Sequence, residues 1–327
     1  MHFTVETTLN DLLNVFDGTA LISGSGYGTE EKLCSSLNML HEENPTWGIG
    51  DMLFGLERLY EIKNKTADYV FPVYSETERQ SSKDKADVTL FSLPARHKKR
   101  EEFALLLAGG AYGAVCTLSE SLPVASRLNE LGFDAFCLNY RTATPDSFIT
   151  GLMPKPLDDV ASALRLICNL FPGIYNGYIL GGFSAGAHLA SLWGTKHIGA
   201  CRFSMPQPKM LILAYPLFSL LSPSEPIKQL LIHGLFGEKG TQEDAKRYCA
   251  AYSMDEEYPP TYIVRAEDDP TVPVQDTQFL IRALENAHIG YRYESAPSGG
   301  HGFGLGSETP LSGWVERAID FFGTISR

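Results

Sequence analysis

One stretch of this chain, residues 181–188, is Gly181-Gly182-Phe183-Ser184-Ala185-Gly186-Ala187-His188, and it follows the short apolar run Tyr178-Ile179-Leu180. The pattern Gly-x-Ser-x-Gly between a strand and a helix is typical of a nucleophile elbow, a tight turn that strains the serine backbone. Gly182 and Gly186 are needed there because a side chain at either position would clash with the crossing strand or helix. We therefore expect the Ser184 hydroxyl to lie at the C-terminal edge of a sheet, above the positive end of a helix.

From Ala86 onward, strand-like and helix-like segments alternate along the chain. Apolar or β-branched runs predict strands at Asp87–Leu93, Phe103–Leu107, Ala135–Asn139, Tyr178–Leu180, Met210–Ala214, Thr261–Val264 and Tyr291–Ser295. Apolar residues at helical spacing predict helices at Leu122–Leu131, Leu157–Leu170, Ala185–Trp193, Gln275–Ala287 and Leu311–Phe322. This alternation predicts an α/β fold, with a mostly parallel, twisted sheet and helices on both faces. Such sheets bind ligands beyond the carboxyl ends of their strands, where Ser184 is expected.

Residues 1–82 do not share this alternation. They hold loose helical patterns, a glycine-rich stretch and a charged run, with thin apolar content. We therefore expect an N-terminal extension packed on a main domain that covers residues 83–327. A second irregular segment, residues 216–260, is rich in leucine. It predicts either a helical cap inserted over a pocket or an ordinary helical crossover.

Composition and charge narrow the class of protein. The chain has 327 residues, of which 44% are hydrophobic, and its net charge is −12. The negative charge opposes binding to nucleic acid and to anionic membranes, which are bound through basic patches. No apolar run reaches the ~18 residues of a transmembrane helix, and no secretory signal is visible at the N-terminus. The six cysteines lack Cys-x-x-Cys spacing, which indicates free thiols in a reducing compartment. These features predict a cytoplasmic enzyme.

Serine is a poor nucleophile at neutral pH, so Ser184 needs a base and the base needs a group that orients it. In this topology the acid and then the histidine follow the serine, each on a loop after a later strand. His301 lies in Ser298-Gly299-Gly300-His301-Gly302-Phe303-Gly304, a glycine-rich and mobile type of loop. The acid is either Asp269 or Asp268; we favour Asp269 because Asp-x-x-Val-Pro places its carboxylate at the end of a strand. We predict that Ser184, Asp269 and His301 are the catalytic residues.

Acyl transfer also needs backbone N–H groups that converge on the oxyanion. One donor is expected from Ala185, directly after the nucleophile. Gly110 and Ala111 are the other expected donors, because the stretch Ala108-Gly109-Gly110-Ala111-Tyr112 follows an early strand; the alternative is a plain glycine-rich turn. Tyr112 and Phe183 are predicted to form walls of the acyl pocket. The histidines show no metal-ligand spacing, so we expect neither a metal nor a cofactor.

The chain resembles the α/β-hydrolase superfamily, and within it the bacterial carboxylesterases and acetyl esterases related to the hormone-sensitive-lipase and dienelactone-hydrolase groups, including acetyl-xylan esterase-like and feruloyl esterase-like enzymes. The resemblance spans roughly residues 68–327. It rests on Phe71-Pro72-Val73-Tyr74-Ser75-Glu76, Ala108-Gly109-Gly110-Ala111-Tyr112, Asn139-Tyr140-Arg141, Gly182-Phe183-Ser184-Ala185-Gly186, Asp269-Pro270-Thr271-Val272-Pro273, Gly300-His301-Gly302-Phe303-Gly304-Leu305-Gly306 and Gly313-Trp314. It implies the α/β-hydrolase fold and a serine esterase.

The sequence departs from this family at the oxyanion loop. The family pattern has His or Pro before three glycines, whereas Ala108 precedes two glycines and then Ala111. A positive φ at Ala111 would cost about 1 kcal/mol. We expect a serine carboxylester hydrolase that removes short acyl groups, acetyl above all, from carbohydrates or small alcohols. The alternatives are a prolyl oligopeptidase-type serine peptidase and a non-catalytic binding protein on a hydrolase scaffold. Whether the chain forms a homo-oligomer stays open.

Overall fold

The computed structural model describes residues 2–24, 27–172, 176–221 and 226–325. Its strands, in chain order, are β1 (Ser23–Gly24), β2 (Val70–Pro72), β3 (Thr89–Leu93), β4 (Phe103–Leu107), β5 (Ala114–Val115), β6 (Asp134–Asn139), β7 (Tyr178–Phe183), β8 (Met210–Ala214), β9 (Thr261–Ala266) and β10 (Tyr291–Ala296). The strands predicted from the apolar runs are all present, with ends that shift by at most three residues. The runs mark the inner strands so well because β4, β6, β7, β8 and β9 are buried along their whole length.

The main sheet has the spatial order β10-β9-β8-β7-β4-β6-β3-β2. The strands from β6 to β10 in this order pair in parallel, and β3 pairs antiparallel with β6 and with β2. β1 and β5 form a separate antiparallel pair. The mostly parallel sheet is therefore confirmed. Since β7 lies near the middle, the residue that follows it is surrounded by the ends of neighbouring strands.

Helices cover both faces of this sheet. They are α1 (Leu9–Val15), α2 (Glu30–Leu33), α3 (Leu37–Glu43), α4 (Ile49–Lys63), α5 (Glu76–Ser81), α6 (Ser121–Glu130), α7 (Ser147–Thr150), α8 (Lys155–Leu170), α9 (Ala185–Trp193), α10 (Pro226–Phe236), α11 (Gln242–Arg247), α12 (Val274–Asn286) and α13 (Trp314–Ile325), with 3₁₀ turns at Lys83–Lys85, Ala200–Phe203 and Ala250–Tyr252. None of these described helices is long and apolar enough to cross a bilayer.

The core consists of two apolar layers, one on each face of the sheet. Along β4, Phe103 and Leu105 join one layer while Ala104 and Leu106 join the other, since successive side chains of a strand point to opposite faces. The first layer contains apolar side chains of α8, α9 and α12. The second contains those of α1, α3, α4, α6 and α13. The apolar side chains of α1, α3 and α4 therefore pack on the same face as α6 and α13.

Two predicted segments differ in detail from their expected form. The strand β2 joins the main sheet although it lies within residues 1–82, so the sheet begins earlier than expected; the division at residue 82 stays a prediction. The segment 216–260 contains α10, α11 and a 3₁₀ turn, and Leu235 of α10 is buried while Leu230 is 59% exposed. Residues 222–225 of that segment lie outside the described residues, and its role as a cap stays a prediction.

Candidate active site

The turn between β7 and α9 has the strained geometry of an elbow. Ser184 lies between them with φ 50° and ψ −116°, in a region that non-glycine residues rarely adopt. A Cβ added at Gly182 would lie 2.6 Å from the Cα of Ala187 in α9, and one at Gly186 would overlap the carbonyl oxygen of Leu107 at the end of β4. The expected need for glycine at both positions is therefore confirmed.

The structure brings Ser184, His301 and Asp269 into one chain of hydrogen bonds. The Oγ atom of Ser184 is 2.8 Å from Nε2 of His301, and Nδ1 of His301 is 2.8 Å from Oδ2 of Asp269. The Asp269 side chain is fully buried and its Oδ1 accepts the N–H groups of Thr271 at 2.8 Å and Val272 at 3.0 Å. Because Nδ1 donates to the carboxylate, Nε2 is left to accept the proton of the serine hydroxyl.

The neighbouring aspartate has a different contact. Oδ1 of Asp268 accepts the N–H of Gly300 at 2.8 Å, so it holds the backbone of the histidine loop, residues 298–306, rather than the imidazole. On the other side of this loop, the hydroxyl of Thr46 donates to the carbonyl oxygen of His301. A loop expected to be mobile is thus held at two points, one of them in the N-terminal segment.

The oxyanion loop, residues 108–112, runs directly beside Ser184. A Cβ on Gly109 would lie 2.8 Å from the Cβ of Ser184. Gly110 has φ 126° and Ala111 has φ 51°, so the positive φ considered for Ala111 is present. Within the described residues, the N–H groups of Gly110, Ala111 and Ala185 have no backbone carbonyl partner, which leaves them available to an oxyanion.

Two substitutions in this loop separate backbone strain from steric contact. A Cβ at Gly110 would lie 2.7 Å from the carbonyl carbon of Ala114. In Gly110→Ala this contact should displace the N–H of residue 110 from the oxyanion. We therefore expect kcat for p-nitrophenyl acetate to fall by about 10²-fold, the usual effect of losing one oxyanion donor. Ala111→Gly removes about 1 kcal/mol of strain, offset by the entropy of a more flexible unfolded chain. It should keep kcat within about 3-fold of the wild type; a large loss in Ala111→Gly would contradict this account of the loop.

The two residues predicted to form the acyl pocket are fully buried. Tyr112 is 1% exposed, and its hydroxyl lies 2.8 Å from Nδ1 of His188, which binds the carbonyl oxygen of Tyr248 through its other nitrogen. Phe183 is 0% exposed, with its ring packed against those of Tyr215 and Trp314. Since neither ring has surface open to a substrate, these contacts support the scaffold under the site. Their predicted role in substrate binding is not favoured by this placement.

Three further residues in contact with the site have little signal in the sequence. Glu120 is a lone charge in a run of small and apolar residues, and that contrast could have marked it. Tyr215 follows β8 directly, at the same sheet edge as Ser184. Thr46 carries no signal, since its contact with His301 joins residues 255 positions apart.

Among the described residues, no three His, Cys, Asp or Glu side chains are placed to hold a metal ion.

A family model described as BD-FAE matches residues 91–284, which is more than half of the chain. The acetylxylan esterase of Xylanibacter ruminicola is 30% identical over 211 residues, which cover 61% of this chain and 40% of that protein. The endo-1,4-beta-xylanase B of Butyrivibrio fibrisolvens is 26% identical over 238 residues, which cover 69% of this chain and 36% of that protein. The match thus spans no more than 40% of either curated relative.

Two solved structures are also similar to this chain. The acetyl ester-xyloside bifunctional hydrolase from Caldicellulosiruptor lactoaceticus aligns with a TM-score of 0.65 at 26% identity, covering 79% of this chain and 96% of that one. A carboxylesterase from Lactobacillus plantarum aligns with a TM-score of 0.58 at 19% identity, covering 72% of this chain and 92% of that one, and this likeness bears on the fold alone. These neighbours confirm the expected fold, and the family model matches most of the main sheet. The chain therefore belongs to the BD-FAE family and is an α/β-hydrolase.

Proposed function

We propose that this protein is a serine carboxylester hydrolase that works through an acyl-enzyme. The observation that carries the proposal is the chain of hydrogen bonds from Ser184 Oγ to His301 and Asp269, 2.8 Å at each step, at a strained elbow. A serine at such a turn has a base within reach and backbone N–H groups beside it, which is the arrangement that nucleophilic acyl transfer needs.

In the first half of the reaction, Ser184 Oγ forms a bond to the ester carbonyl carbon while Nε2 of His301 takes the hydroxyl proton. The carbonyl electron pair moves onto oxygen, and the N–H groups of Gly110, Ala111 and Ala185 stabilise the oxyanion. The oxyanion then collapses and the bond to the alkoxy oxygen breaks. His301 gives its proton to the leaving alcohol, so the acyl group remains on the serine.

In the second half, water takes the place of the alcohol. Nε2 of His301 accepts a proton from the water as its oxygen attacks the acyl carbon, and the same N–H groups stabilise the second oxyanion. Collapse returns the proton to Ser184 Oγ and releases the carboxylic acid. Throughout, Asp269 fixes the ring through Nδ1 and stabilises the imidazolium form of His301.

The proposed substrates are esters of short acyl groups, acetyl above all, on carbohydrates or other small alcohols. Support comes from the names of two similar proteins, an acetylxylan esterase and an acetyl ester-xyloside hydrolase.

A substrate panel tests the substrate class. We expect kcat/KM to be highest for p-nitrophenyl acetate and acetylated xylo-oligosaccharides, and to fall at least about 10-fold for p-nitrophenyl octanoate, because a site made for one small group gains little from a longer chain. Peptide p-nitroanilides should show no turnover above that of Ser184→Ala. Faster hydrolysis of octanoate, or cleavage of the peptides, would contradict the proposal.

A further inference from the structure

A buried carboxyl group lies between the oxyanion loop and the histidine loop. Glu120 is 3% exposed and immediately precedes α6. Its Oε2 accepts the N–H of Gly109, next to the expected oxyanion donor Gly110. Its Oε1 accepts the hydroxyl of Tyr215 at 3.1 Å. Both oxygens of this carboxyl group therefore act as acceptors.

Tyr215 extends this contact to the histidine loop. Its hydroxyl oxygen accepts the N–H of Gly304 at 3.1 Å, while the hydroxyl proton goes to Glu120. The Tyr215 ring meets those of His301 and Phe303 at centroid distances of 5.0 and 4.6 Å. A continuous set of hydrogen bonds thus runs from Gly109 through Glu120 and Tyr215 to Gly304.

We infer that Glu120 is a positioning residue whose ionised carboxylate fixes the oxyanion loop relative to the histidine loop. The inference rests on the proposed esterase function and adds a residue to it. Glu120 contacts no reacting atom, so it acts through Gly109 and Tyr215. The ionised form accepts strongly at both oxygens, whereas the protonated form carries a hydrogen on one of them and is a weaker acceptor there.

The charge of Glu120 depends on the groups that face it. Burial raises its pKa to about 7, while the N–H of Gly109, the nearby His301 and the hydroxyl of Tyr215 oppose that rise. The other titratable groups that interact with it are Cys116 and Tyr140, whose pKa values are raised by burial, so both are neutral near pH 7. Glu120 therefore changes its ionisation within the working range of a histidine base.

The substitution Glu120→Gln tests this role, because an amide is nearly isosteric with the protonated carboxyl group. We expect kcat for p-nitrophenyl acetate at pH 8 to fall about 10-fold with KM within about 2-fold, as when an interaction is lost that matters in the transition state. The ratio of wild-type to variant kcat should approach one below pH 6, where wild-type Glu120 is itself protonated. A ratio of one at every pH, or a loss that is the same at every pH, would overturn the inference.

A matched control is Asp276→Asn, a carboxyl-to-amide change at a side chain that is 4% exposed and accepts the N–H groups of Phe218 and Ser219. Any effect of Asp276→Asn on kcat should be independent of pH.

Tyr215→Phe keeps the ring but removes the hydroxyl. The double variant with Glu120→Gln should be no slower than the slower single variant, because both substitutions break one network. Wild-type kcat in Tyr215→Phe would overturn the inference even if Glu120→Gln failed to fold. Ser184→Ala tests the proposed function separately from the role of Glu120: if this variant stays active, the proposed function itself fails.

Discussion

Replacing Ser184 with alanine is expected to lower kcat for p-nitrophenyl acetate by about 10⁴-fold or more, since loss of the nucleophile in a serine hydrolase leaves only binding and oxyanion stabilisation. The change removes a single oxygen atom from a residue that is 9% exposed. Alanine tolerates a φ of 50° about as well as serine does, so the elbow should keep its shape. The measurement is kcat of the purified variant, with circular dichroism to show that it is folded.

A fluorophosphonate probe supplies the complementary observation. The wild type should be labelled at Ser184 and the variant should not, because the probe needs an activated hydroxyl. Equal hydrolysis rates in the two proteins would end the proposal of an acyl-enzyme. An unlabelled wild type would instead favour a binding protein on a hydrolase scaffold.

Replacing Asp269 with asparagine is expected to lower kcat by about 10⁴-fold, because an amide facing Nδ1 holds the imidazole in the wrong tautomer. The acceptor Oδ2 lies 2.8 Å from Nδ1 of His301. The other oxygen keeps its two backbone donors, Thr271 and Val272, in the variant, so the turn should survive. The measurement is kcat across pH 6 to 9, with the unfolding midpoint alongside.

The adjacent Asp268 is the matched control for this substitution. Asp268→Asn keeps an oxygen that can accept the N–H of Gly300, the bond seen at 2.8 Å. Its kcat should therefore stay within about 10-fold of the wild type, since no reacting group is touched. If Asp268→Asn proved the more damaging of the two, the roles given to the two aspartates would have to be exchanged.

Much of the fold follows from the sequence because its inner strands are buried on both faces. A run such as Met210–Ala214 is apolar throughout, so it is visible without any knowledge of its neighbours. The β2 strand, Val70–Pro72, is an edge strand of three residues with a burial pattern of partly exposed positions. A strand so short and half exposed leaves no periodic pattern to read.

The residues of the site also divide into those with a local signal in the sequence and those without one. Ser184 and His301 lie among glycines. The backbone needs Gly182 and Gly186, because a side chain at these positions would clash with α9 or with the end of β4. Those glycines are a local signal. The contact of Glu120 with Gly109 and Tyr215 depends on how three separate segments pack, and no local pattern encodes it. The burial of Tyr112 and Phe183 likewise depends on packing between segments, for which the sequence contains no local signal.

The hydroxyl of Thr46 is joined to the carbonyl oxygen of His301 across 255 positions of the chain. On a ribosome that adds about 5–20 residues per second, Thr46 is made roughly 13–50 s before the histidine exists. For the last 117 residues of that stretch, from Ser184 to His301, the nascent polypeptide carries the nucleophile without its base. The proposed catalytic site is therefore incomplete until His301 has been synthesised, and the segment around Thr46 must meet the histidine loop, residues 298–306, before that loop is held from both sides.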